Sequence, residues 1–254
     1  MSDREHSPPA GRPVEALVYG VNAALAVASH RPAAIRRVLY DASRRHDLGP
    51  LLKVTAAGRR PYREVPTEDL ARVARSQHHE GVVVVTDPLP ALDLEGFLRR
   101  LQPGAVFLAL DGVGNPHNLG AILRSAAWFG AAGVLLPERG VGLSAAAMRV
   151  AQGGAEVVPC VEVPDMADAV ELLMARGISV VAADQHAEAV IFDRPPPRPL
   201  CVVMGSEGDG LSGTVSAVIR HRVRIPGPGN GVESLNVAVS AAIVLAATLG
   251  RDPG

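Results

Sequence analysis

Short Val-rich runs alternate with helix-like segments through the second half of the chain, and this alternation constrains the fold more than any other feature. The runs predict strands at residues 106–110, 134–136, 157–161, 178–183, 200–204 and 223–225. Apolar residues at helical spacing predict helices at residues 119–129, 144–151, 166–175 and 235–249. Strands that are apolar along their whole length are typical of parallel sheets covered on both faces. We therefore expect an α/β fold with a mostly parallel sheet over residues 105–254.

A second, smaller α/β unit precedes this sheet. Residues 14–30 predict a helix, residues 36–40 and 82–86 predict strands, and Thr67 is the expected N-cap of a further helix. The Pro-containing stretch that follows predicts a linker with room for one helix. We thus divide the chain into a disordered N-terminus at 1–13, a small α/β domain at 14–87, a linker at 88–104 and the parallel-sheet domain at 105–254.

Several common kinds of site are not expected in this chain. No Gly-x-Gly-x-x-Gly follows the first strand of either unit, and no P-loop or His-Glu-x-x-His motif occurs. The two cysteines, Cys160 and Cys201, form neither a zinc site by themselves nor a disulfide framework, so no metal is predicted. The polar N-terminus and the lack of an apolar run of membrane-spanning length predict a cytoplasmic protein without a membrane segment.

The charge of the chain is unevenly distributed. The formal net charge is −1, but residues 1–103 carry +3 and residues 104–254 carry −4. Residues 30–63 contain nine Lys or Arg against two Asp, a local charge of +7. Such a patch attracts phosphate even when the whole chain is nearly neutral, although a merely solvated basic surface has the same composition. The phosphate contacts predicted here are Arg36, Arg37, Arg59 and Arg60.

Three polar or Gly-rich segments follow predicted strands, at the edge where doubly wound sheets bind ligands. In the first, Asn118 is the expected N-cap of a helix, Gly120 allows close backbone approach, and Arg124 tilts back toward the helix N-terminus. Backbone N–H groups and a cation would then face one region, which suits a phosphate or polar ligand. A plain capped helix with a solvated Arg is the alternative.

The other two segments are richer in glycine. Residues 204–212 place three glycines around Glu207 directly after a strand, which indicates tight turns near a ligand or a simple turn into a helix capped by Ser212. Residues 225–237 form a loop that opens onto an apolar helix. Because Asn is a poor residue in a helix interior, Asn236 is either a cap or a recognition group.

Taken together, the three segments resemble the motifs of the SpoU/TrmH family of RNA ribose 2′-O-methyltransferases, within the knotted SPOUT superfamily. The matching residues, in chain order, are Asn118, Gly120, Arg124, Phe129, Gly130, Met204, Gly205, Glu207, Gly208, Gly210, Ile225, Pro226, Ser234, Leu235, Asn236 and Val237. Three motifs in the right order are more specific than any one of them. The resemblance extends over residues 104–250.

The N-terminal unit resembles the ribosomal-protein-L30-like RNA-binding domain found in many members. The residues that carry this likeness are Tyr19-Gly20-Val21-Asn22-Ala23 and His79-Glu80-Gly81-Val82. The pattern is most similar to the branch that methylates a guanosine ribose in large-subunit ribosomal RNA. It implies that the basic patch binds structured, ribosomal RNA.

The resemblance also implies a trefoil knot in the C-terminal domain and S-adenosylmethionine as the cofactor. The implied cofactor-binding residues, several acting through their backbones, are Ala183, Gly205, Ile225, Pro226, Leu235 and Asn236. It further implies a homodimer in which the partner chain completes each site. Family members often carry Thr or Gly where this chain has Ala182-Ala183-Asp184.

The resemblance makes Arg124 the catalytic residue, with Asn118, Glu207, Ser234 and Asn236 around it. A guanidinium has a pKa above about 12 and no acceptor when charged, which makes it a poor base in water. We therefore favour a role in which Arg124 positions a phosphate and stabilises developing alkoxide charge. Proton removal by a transiently neutral Arg124 is the alternative.

Three other functions fit the same residues. The first is a family member that acts on transfer RNA, and the N-terminal unit argues against it because minimal transfer-RNA enzymes of this family often lack such a unit. The second is a non-catalytic RNA-binding or ribosome-assembly protein, and the complete set of motif residues argues against it. The third, an antibiotic-resistance methyltransferase of the same fold, stays open.

Overall fold

Two β-sheets carry the fold. The computed structural model describes residues 14–140, 142–194, 196–228 and 231–250, so the predicted disorder of residues 1–13 lies outside the described residues. The first sheet has four strands in the order β1-β4-β2-β3, and the second has six in the order β10-β8-β9-β5-β6-β7. We call the elements up to β4 the N-terminal unit and those from β5 onward the C-terminal unit.

The N-terminal unit is built around strand β4, whose five residues are all buried. Its strands are β1 (Ala16–Tyr19), β2 (Ile35–Tyr40), β3 (Tyr62–Glu64) and β4 (Val82–Thr86). Its helices are α1 (Val21–His30), α2 (Gly49–Ala57) and α3 (Thr67–Ala74). Strand β4 pairs antiparallel with both β1 and β2, while β2 and β3 are parallel. An all-valine run therefore sits at the centre of this sheet, as its composition predicts.

Two predictions for this unit are wrong. The predicted helix at 14–30 is a strand followed by a helix, because residues 16–19 pair with β4 and Gly20, at φ 94°, turns the chain before α1 begins. Thr67 is not an N-cap. Pro66 occupies the cap position, and the Thr67 hydroxyl instead donates to Asp41 at 2.6 Å.

All strand pairs of the second sheet are parallel, as the Val-rich runs predict. Its strands are β5 (Val106–Leu110), β6 (Val134–Pro137), β7 (Cys160–Val163), β8 (Ser179–Ala183), β9 (Leu200–Met204) and β10 (Arg222–Val223). Its helices are α5 (Pro116–Phe129), α6 (Ala145–Val150), α7 (Gly154–Val157), α8 (Met166–Ala175), α9 (Gly213–Val218) and α10 (Val237–Leu249). Alternate residues of β5 enter different apolar clusters, so both faces of the sheet are covered.

Two local expectations in this unit are wrong, and a third is confirmed with a neighbour that the sequence did not identify. Helix α5 begins at Pro116 with Asn115 as its N-cap, so Asn118 lies in the first turn and its side chain is not used for capping. The strand expected at 157–161 begins at Cys160 and is preceded by the short helix α7. Gly120 does admit a close backbone approach, but the neighbour is α6: a Cβ there would lie 2.5 Å from the Ala147 carbonyl oxygen.

The segment between the sheets contains one helix, as expected, and this helix packs against the second sheet. Helix α4 (Leu94–Leu98) is capped by Asp93 and buries Phe97, whose ring meets Phe107 of β5 edge-on at 5.2 Å. A further apolar cluster runs without a break from the N-terminal unit into the C-terminal unit. The two units thus share an apolar core, and this core sets the orientation of one unit relative to the other.

Among the described residues, none of the helices combines the length and apolarity needed to cross a membrane. In the same part of the chain, no group of three or more His, Cys, Asp or Glu residues could hold a metal ion.

Candidate functional site

The predicted cofactor residues gather at the carboxyl ends of three adjacent strands. Ala183 ends β8, Gly205 follows β9, and Ile225 follows β10 by two positions. Strand β8 lies between β9 and β10 in the sheet. Because all three strands are parallel, their ends open onto the same edge, where α/β sheets bind ligands.

Gly205 is required by the fold of its own loop. The backbone of Ser206 pairs with Gly210 in both directions, at 2.9 Å and 3.2 Å, and closes a small hairpin. A Cβ on Gly205 would lie 2.3 Å from the carbonyl carbon of Gly210. Gly208 and Gly210 adopt φ of 94° and 70°, a region that other residues rarely enter. The glycines predicted to make tight turns therefore do so, and they turn Glu207 toward helices α5 and α10.

Oε1 of Glu207 joins all three motif segments. It accepts hydrogen bonds from Asn118 Nδ2 at 3.0 Å, Asn236 Nδ2 at 2.5 Å and the Val237 backbone N–H at 3.1 Å. Asn236 Nδ2 also donates to Asn118 Oδ1 at 3.1 Å. The sequence places these residues far apart, with 89 positions between Asn118 and Glu207. Their side chains nevertheless form one network near the carboxyl ends of these strands.

Asn236 is both a cap and a member of this network. Its Oδ1 accepts from the backbone N–H groups of Ala238 and Val239, which satisfies the first turn of α10. Its Nδ2 is left to hold Glu207 and Asn118. The cap alternative is therefore confirmed, and recognition of a ligand by Asn236 stays a prediction.

Asp111 is a site residue that sequence reasoning missed. It directly follows β5, is buried, and its Oδ2 accepts from the Ser212 N–H at 2.6 Å. This bond ties the far end of the Gly-rich loop to the sheet, next to the Ser212 N-cap of α9. The signal in the sequence is an acid immediately after a wholly apolar strand, at the edge where ligands bind.

Asp184 directly follows Ala183 at the carboxyl end of β8 and links this strand to β10. Its carboxylate accepts from the His186 N–H and from Arg222 of β10, both at 2.8 Å. The His186 hydrogen bond, followed by the Arg222 bond and charge, lowers the pKa of Asp184 below its ordinary value although partial burial opposes this. Asp184 therefore stays ionised at neutral pH and holds β10 beside β8.

Arg124 does not join the side-chain network. It is exposed and has no hydrogen bond or ion pair with any residue that the structure describes. An α-helix turns by about 100° per residue, so Arg124 and Asn118, six positions apart on α5, point from different faces. Its guanidinium is available to an external anion.

The loop that leads into α10 is also open. Ile225 is half-buried, Pro226, Ser234 and Leu235 are exposed, and across the described residues Ile225, Ser234 and Leu235 form no hydrogen bond. Backbone groups of this kind, flanked by apolar side chains, suit a flat heterocycle with polar edges. This arrangement suits the cofactor-binding role that the resemblance implies for Ile225, Pro226 and Leu235.

The basic patch divides into a paired and an unpaired part. Arg36 is bound to Asp87 at 2.7 Å and Arg37 lies 3.7 Å from Glu15. Arg59 and Arg60, in the loop between α2 and β3, are exposed and form no ion pair within the described chain. Lys53 and Arg63 are likewise exposed and form no ion pair within the described chain. The unpaired positive charge is therefore concentrated beside the edge strand β3.

An apolar groove of about 510 Å³ lies between α5 and α10. It runs from Asn118 and Asn236 along Ala121, Val239 and Ile243, with little polar lining. Further along α5, Trp128 is 84% exposed, and on α10 Val239 is 48% exposed. We call this surface the α5–α10 groove. It connects directly to the side-chain network of Glu207.

Replacing Glu207 with Ala should lower the free energy of unfolding by about 1 kcal/mol, because three donors lose their acceptor at a site that water still reaches. Glu207→Gln should lose less, since its amide oxygen still accepts. Urea unfolding followed by circular dichroism measures both. Asp209→Ala, at an exposed acid two positions away without a described partner, is the matched control and should change stability by less than about 0.5 kcal/mol. Equal stability of Glu207→Ala and wild type would contradict the bracing role.

Comparisons with known proteins agree with this geometry. The model of the SpoU rRNA Methylase family matches residues 105–246, and the model named RNA 2′-O ribose methyltransferase substrate binding matches residues 17–92. The chain is 36% identical over 242 residues to the 23S rRNA (guanosine-2′-O-)-methyltransferase RlmB of Bordetella pertussis, covering 94% of this chain and 98% of that protein. It is 35% identical over 234 residues to RlmB of Pseudomonas aeruginosa, covering 90% and 93%.

A solved structure shows the same fold. The SpoU methyltransferase AviRb from Streptomyces viridochromogenes, in complex with the cofactor AdoMet, superposes with a TM-score of 0.77 at 26% identity, over 93% of this chain and 90% of that one. Family models cover both units of the chain, and the relatives span nearly its whole length. The chain therefore belongs to the SpoU rRNA methylase family, with an N-terminal substrate-binding unit ahead of its methyltransferase fold.

Proposed function

We propose that this chain transfers a methyl group from S-adenosylmethionine to the ribose 2′-oxygen of a guanosine in 23S ribosomal RNA. The observation that carries this proposal is the network of Asn118, Glu207 and Asn236, which joins the three family motifs at one strand edge. The relatives named as 23S rRNA guanosine methyltransferases support the choice of substrate, because they match both units of the chain. A ribosomal substrate in turn implies that the enzyme works in the cytoplasm.

The residues at the strand edge fit S-adenosylmethionine. Ala183 is small and half-buried, Gly205 sits under a closed hairpin, and Ile225 and Leu235 offer backbone groups without a described partner. We assign these four residues, with Pro226 and Asn236, to the cofactor. When bound, the cofactor supplies a methyl carbon attached to a positively charged sulfur. The protein has to align a ribose hydroxyl with that carbon, and such alignment is worth about 7–11 kcal/mol in the most favourable cases.

Arg124 is the residue we assign to the reacting ribose. Its exposed guanidinium can bind the phosphate beside the target nucleotide through two parallel hydrogen bonds. From there it can also stabilise negative charge on the 2′-oxygen as the proton leaves. The free state of Arg124 in the described structure supports this, because no internal carboxylate competes for it. Asn118, Glu207 and Asn236 hold the surrounding segments, and the exposed Ser234 hydroxyl is free to meet the RNA.

Two finer features of the fold belong to this proposal. The N-terminal unit is an L30-like RNA-binding domain, supported by its mixed four-stranded sheet with helices. The C-terminal unit carries a trefoil knot, supported by the match of residues 105–246 to the SpoU rRNA Methylase family. Such a knot is a rare exception to ordinary chain threading. It would bring three distant segments into one cofactor site.

The chain works as a homodimer that is joined through the α5–α10 groove. A lone chain leaves Trp128 and Val239 largely in water and an apolar groove of about 510 Å³ open. Exposed apolar patches of this kind mark interaction surfaces. The groove ends at Asn118 and Asn236, so a second copy seated there would lie beside the candidate site and complete it.

Val239→Glu should convert the dimer to monomers, because it places a charge in the groove that the partner would have to desolvate. Sedimentation velocity measures this as a fall from twice the chain mass to the chain mass. Met174→Glu, on α8 and away from the groove, is the matched control and should leave the dimer intact. A wild-type protein that sediments as a monomer would contradict the proposal.

Arg124→Ala should lower methyl transfer to ribosomal RNA by about 100-fold or more, because the developing oxyanion loses its cation. The assay follows labelled methyl from S-adenosylmethionine into unmodified ribosomal and transfer RNA. Arg124→Lys keeps the charge but loses the planar fork, so near-normal turnover in that variant would overturn the need for the fork. Arg220→Ala is the matched control. Arg220 is exposed and precedes β10, so it lies away from the carboxyl ends of the strands that carry the candidate site.

The same assay separates the competing functions. Label in ribosomal RNA that is lost in Arg124→Ala supports the proposal, and mapping the modified ribose names the target. Label in transfer RNA would assign the chain to the transfer-RNA branch. Cofactor binding without transfer to either RNA or to ribosomal particles would favour the non-catalytic function.

The unpaired arginines should contribute more to RNA affinity than the paired ones. The sequence assigns Arg36, Arg37, Arg59 and Arg60 to RNA together, but within the described part of the chain only the last two lack an ion pair. Neutralising Arg59 and Arg60 to Gln should lower the magnitude of the slope of log affinity against log salt by about 1.4–1.8, since each lost phosphate contact removes about 0.7–0.9. Filter binding across a salt series measures this. The matched Arg36→Gln/Arg37→Gln variant should change the slope less, and equal slopes in all three proteins would mean that the patch is merely solvated.

A further inference from the structure

The two short motifs that mark the N-terminal unit lie where it contacts the C-terminal unit. They are the stretch from Tyr19 to Ala23 and the stretch from His79 to Val82. In the structure, α1 and β1 contact α6 and α7 of the C-terminal unit. Residues that identify a substrate-binding unit are therefore engaged in docking that unit.

Glu80 forms the first of these contacts. Its Oε2 accepts from the Val21 N–H at 3.1 Å, which fixes the start of α1, and its Oε1 lies 3.5 Å from Arg149 Nη1 of α6. Glu80 adopts φ 53°, a conformation that costs free energy in a non-glycine residue. A Cβ on Gly20 would lie 2.9 Å from Arg149 Cγ, so the arginine stem is packed against the motif.

The second contact is a buried ion pair between the units. Arg31, directly after α1, binds Glu156 of α7 with two hydrogen bonds, Nε–Oε2 at 2.5 Å and Nη2–Oε1 at 3.0 Å. Its remaining nitrogen donates to the Asp87 carbonyl at 2.9 Å. The side chain of Glu156 is 1% exposed and that of Arg31 is 14% exposed. Because a buried carboxylate without its partner is strongly unfavourable, Arg31 cannot leave Glu156 unless the packing around Glu156 also opens to water.

Between these two contacts, α1 packs closely on the segment that precedes α7. Asn22 of α1 is hydrogen-bonded to Gln152. A Cβ on Gly153 would lie 2.8 Å from Cβ of Ala26, so a larger residue there would push α1 away. The docked surface therefore runs along α1 from its first turn to its end.

The docked surface continues to the helix that carries Arg124. Gly154, in the first turn of α7, packs so tightly on α5 that a Cβ would lie 2.6 Å from the Leu123 carbonyl oxygen and 3.1 Å from Arg124 Cα. One short helix thus touches the substrate-binding unit through Glu156 and the Arg124 backbone through Gly154. The unpaired basic residues stand at β3, the opposite edge of the first sheet from β1, and stay accessible.

We propose that Arg31, Glu80, Arg149 and Glu156 are positioning residues that lock the substrate-binding unit in one orientation relative to Arg124. The lock sets a fixed separation between the RNA element held at the β3 edge and the ribose that meets Arg124. It therefore selects which ribose is methylated. This inference rests on the proposed function for its effect on methylation, but the orientation itself is a property of the free protein.

Electron-spin distance measurement tests the orientation without RNA. Labels are attached at Glu68→Cys on α3 and Glu171→Cys on α8, two exposed positions in different units. Cys201 is buried and Cys160 half-buried, and burial raises the pKa of both thiols, which slows their reaction with the label relative to the exposed introduced cysteines. Labelled chains that are otherwise wild type are mixed with excess unlabelled chain, so that the proposed homodimer adds no distances between protomers, and they should give one narrow distance distribution. Glu156→Gln and Arg149→Ala should each broaden it.

The matched control is Glu95→Gln, which breaks a surface ion pair with Arg176 inside the C-terminal unit and should leave the distribution narrow. Arg31→Lys is a milder variant in case Glu156→Gln does not fold, since it keeps the charge and loses the fork. A broad distribution in the wild type would overturn the proposal. So would an unchanged narrow distribution in every folded lock variant.

The activity arm measures methyl transfer to ribosomal RNA and maps the modified riboses. Lock variants should lose about tenfold or more in kcat/KM, because small displacements of a bound substrate cost this much or more. Their affinity for S-adenosylmethionine should be unchanged, and methyl groups should spread to riboses next to the main target. Wild-type yield at the single wild-type position in a variant with a broadened distance distribution would overturn the selection of the ribose. If the wild type transfers no methyl to any RNA, the proposed function fails, and the distance measurement still decides the orientation.

Discussion

One carboxylate oxygen holds the candidate site together. Oε1 of Glu207 receives three donors from α5 and from the start of α10. The loop that carries it needs Gly205 to avoid a backbone clash, and Gly208 and Gly210 to adopt positive φ. The parallel sheet makes this possible because it brings the ends of β8, β9 and β10 to one edge. The sheet brings the carboxyl ends of these strands together, and Glu207 links helices α5 and α10 to them.

The structure separates arginines that look alike in the sequence. Arg31 is neutralised by the buried Glu156, Arg36 is held by Asp87, and Arg124 is exposed with no partner among the described residues. A buried ion pair fixes an orientation, since the attraction between its charges offsets their desolvation in only one arrangement. An unpaired surface arginine serves binding, since its charge is available to phosphate. The same residue type thus fixes the orientation of the units at one place and meets the substrate at another.

The secondary structure of the C-terminal unit was largely predictable, because wholly apolar runs such as 106–110 and 200–204 have few other ways to bury their surface. The predictions were wrong where a contact with a residue distant in the sequence overrides the local sequence pattern. Residues 16–19 have helical spacing but pair with β4, and Asn118 resembles a cap but is left to the site because Asn115 takes the cap. Gly120 was correctly read as a point of close approach, but the neighbour is a helix.

By itself the sequence determined the α/β class, the order of the strands along the chain, and the identity of the motif residues, because these depend on local apolar pattern and on residue type. Only the tertiary structure decided that Asn118, Glu207 and Asn236 share one network, that Asp111 anchors the loop, and that the motif at Gly20 and Glu80 docks one unit on the other. The reason is physical. Each of these contacts joins residues many positions apart, and which of them meet is set by the packing of the whole core rather than by any local preference.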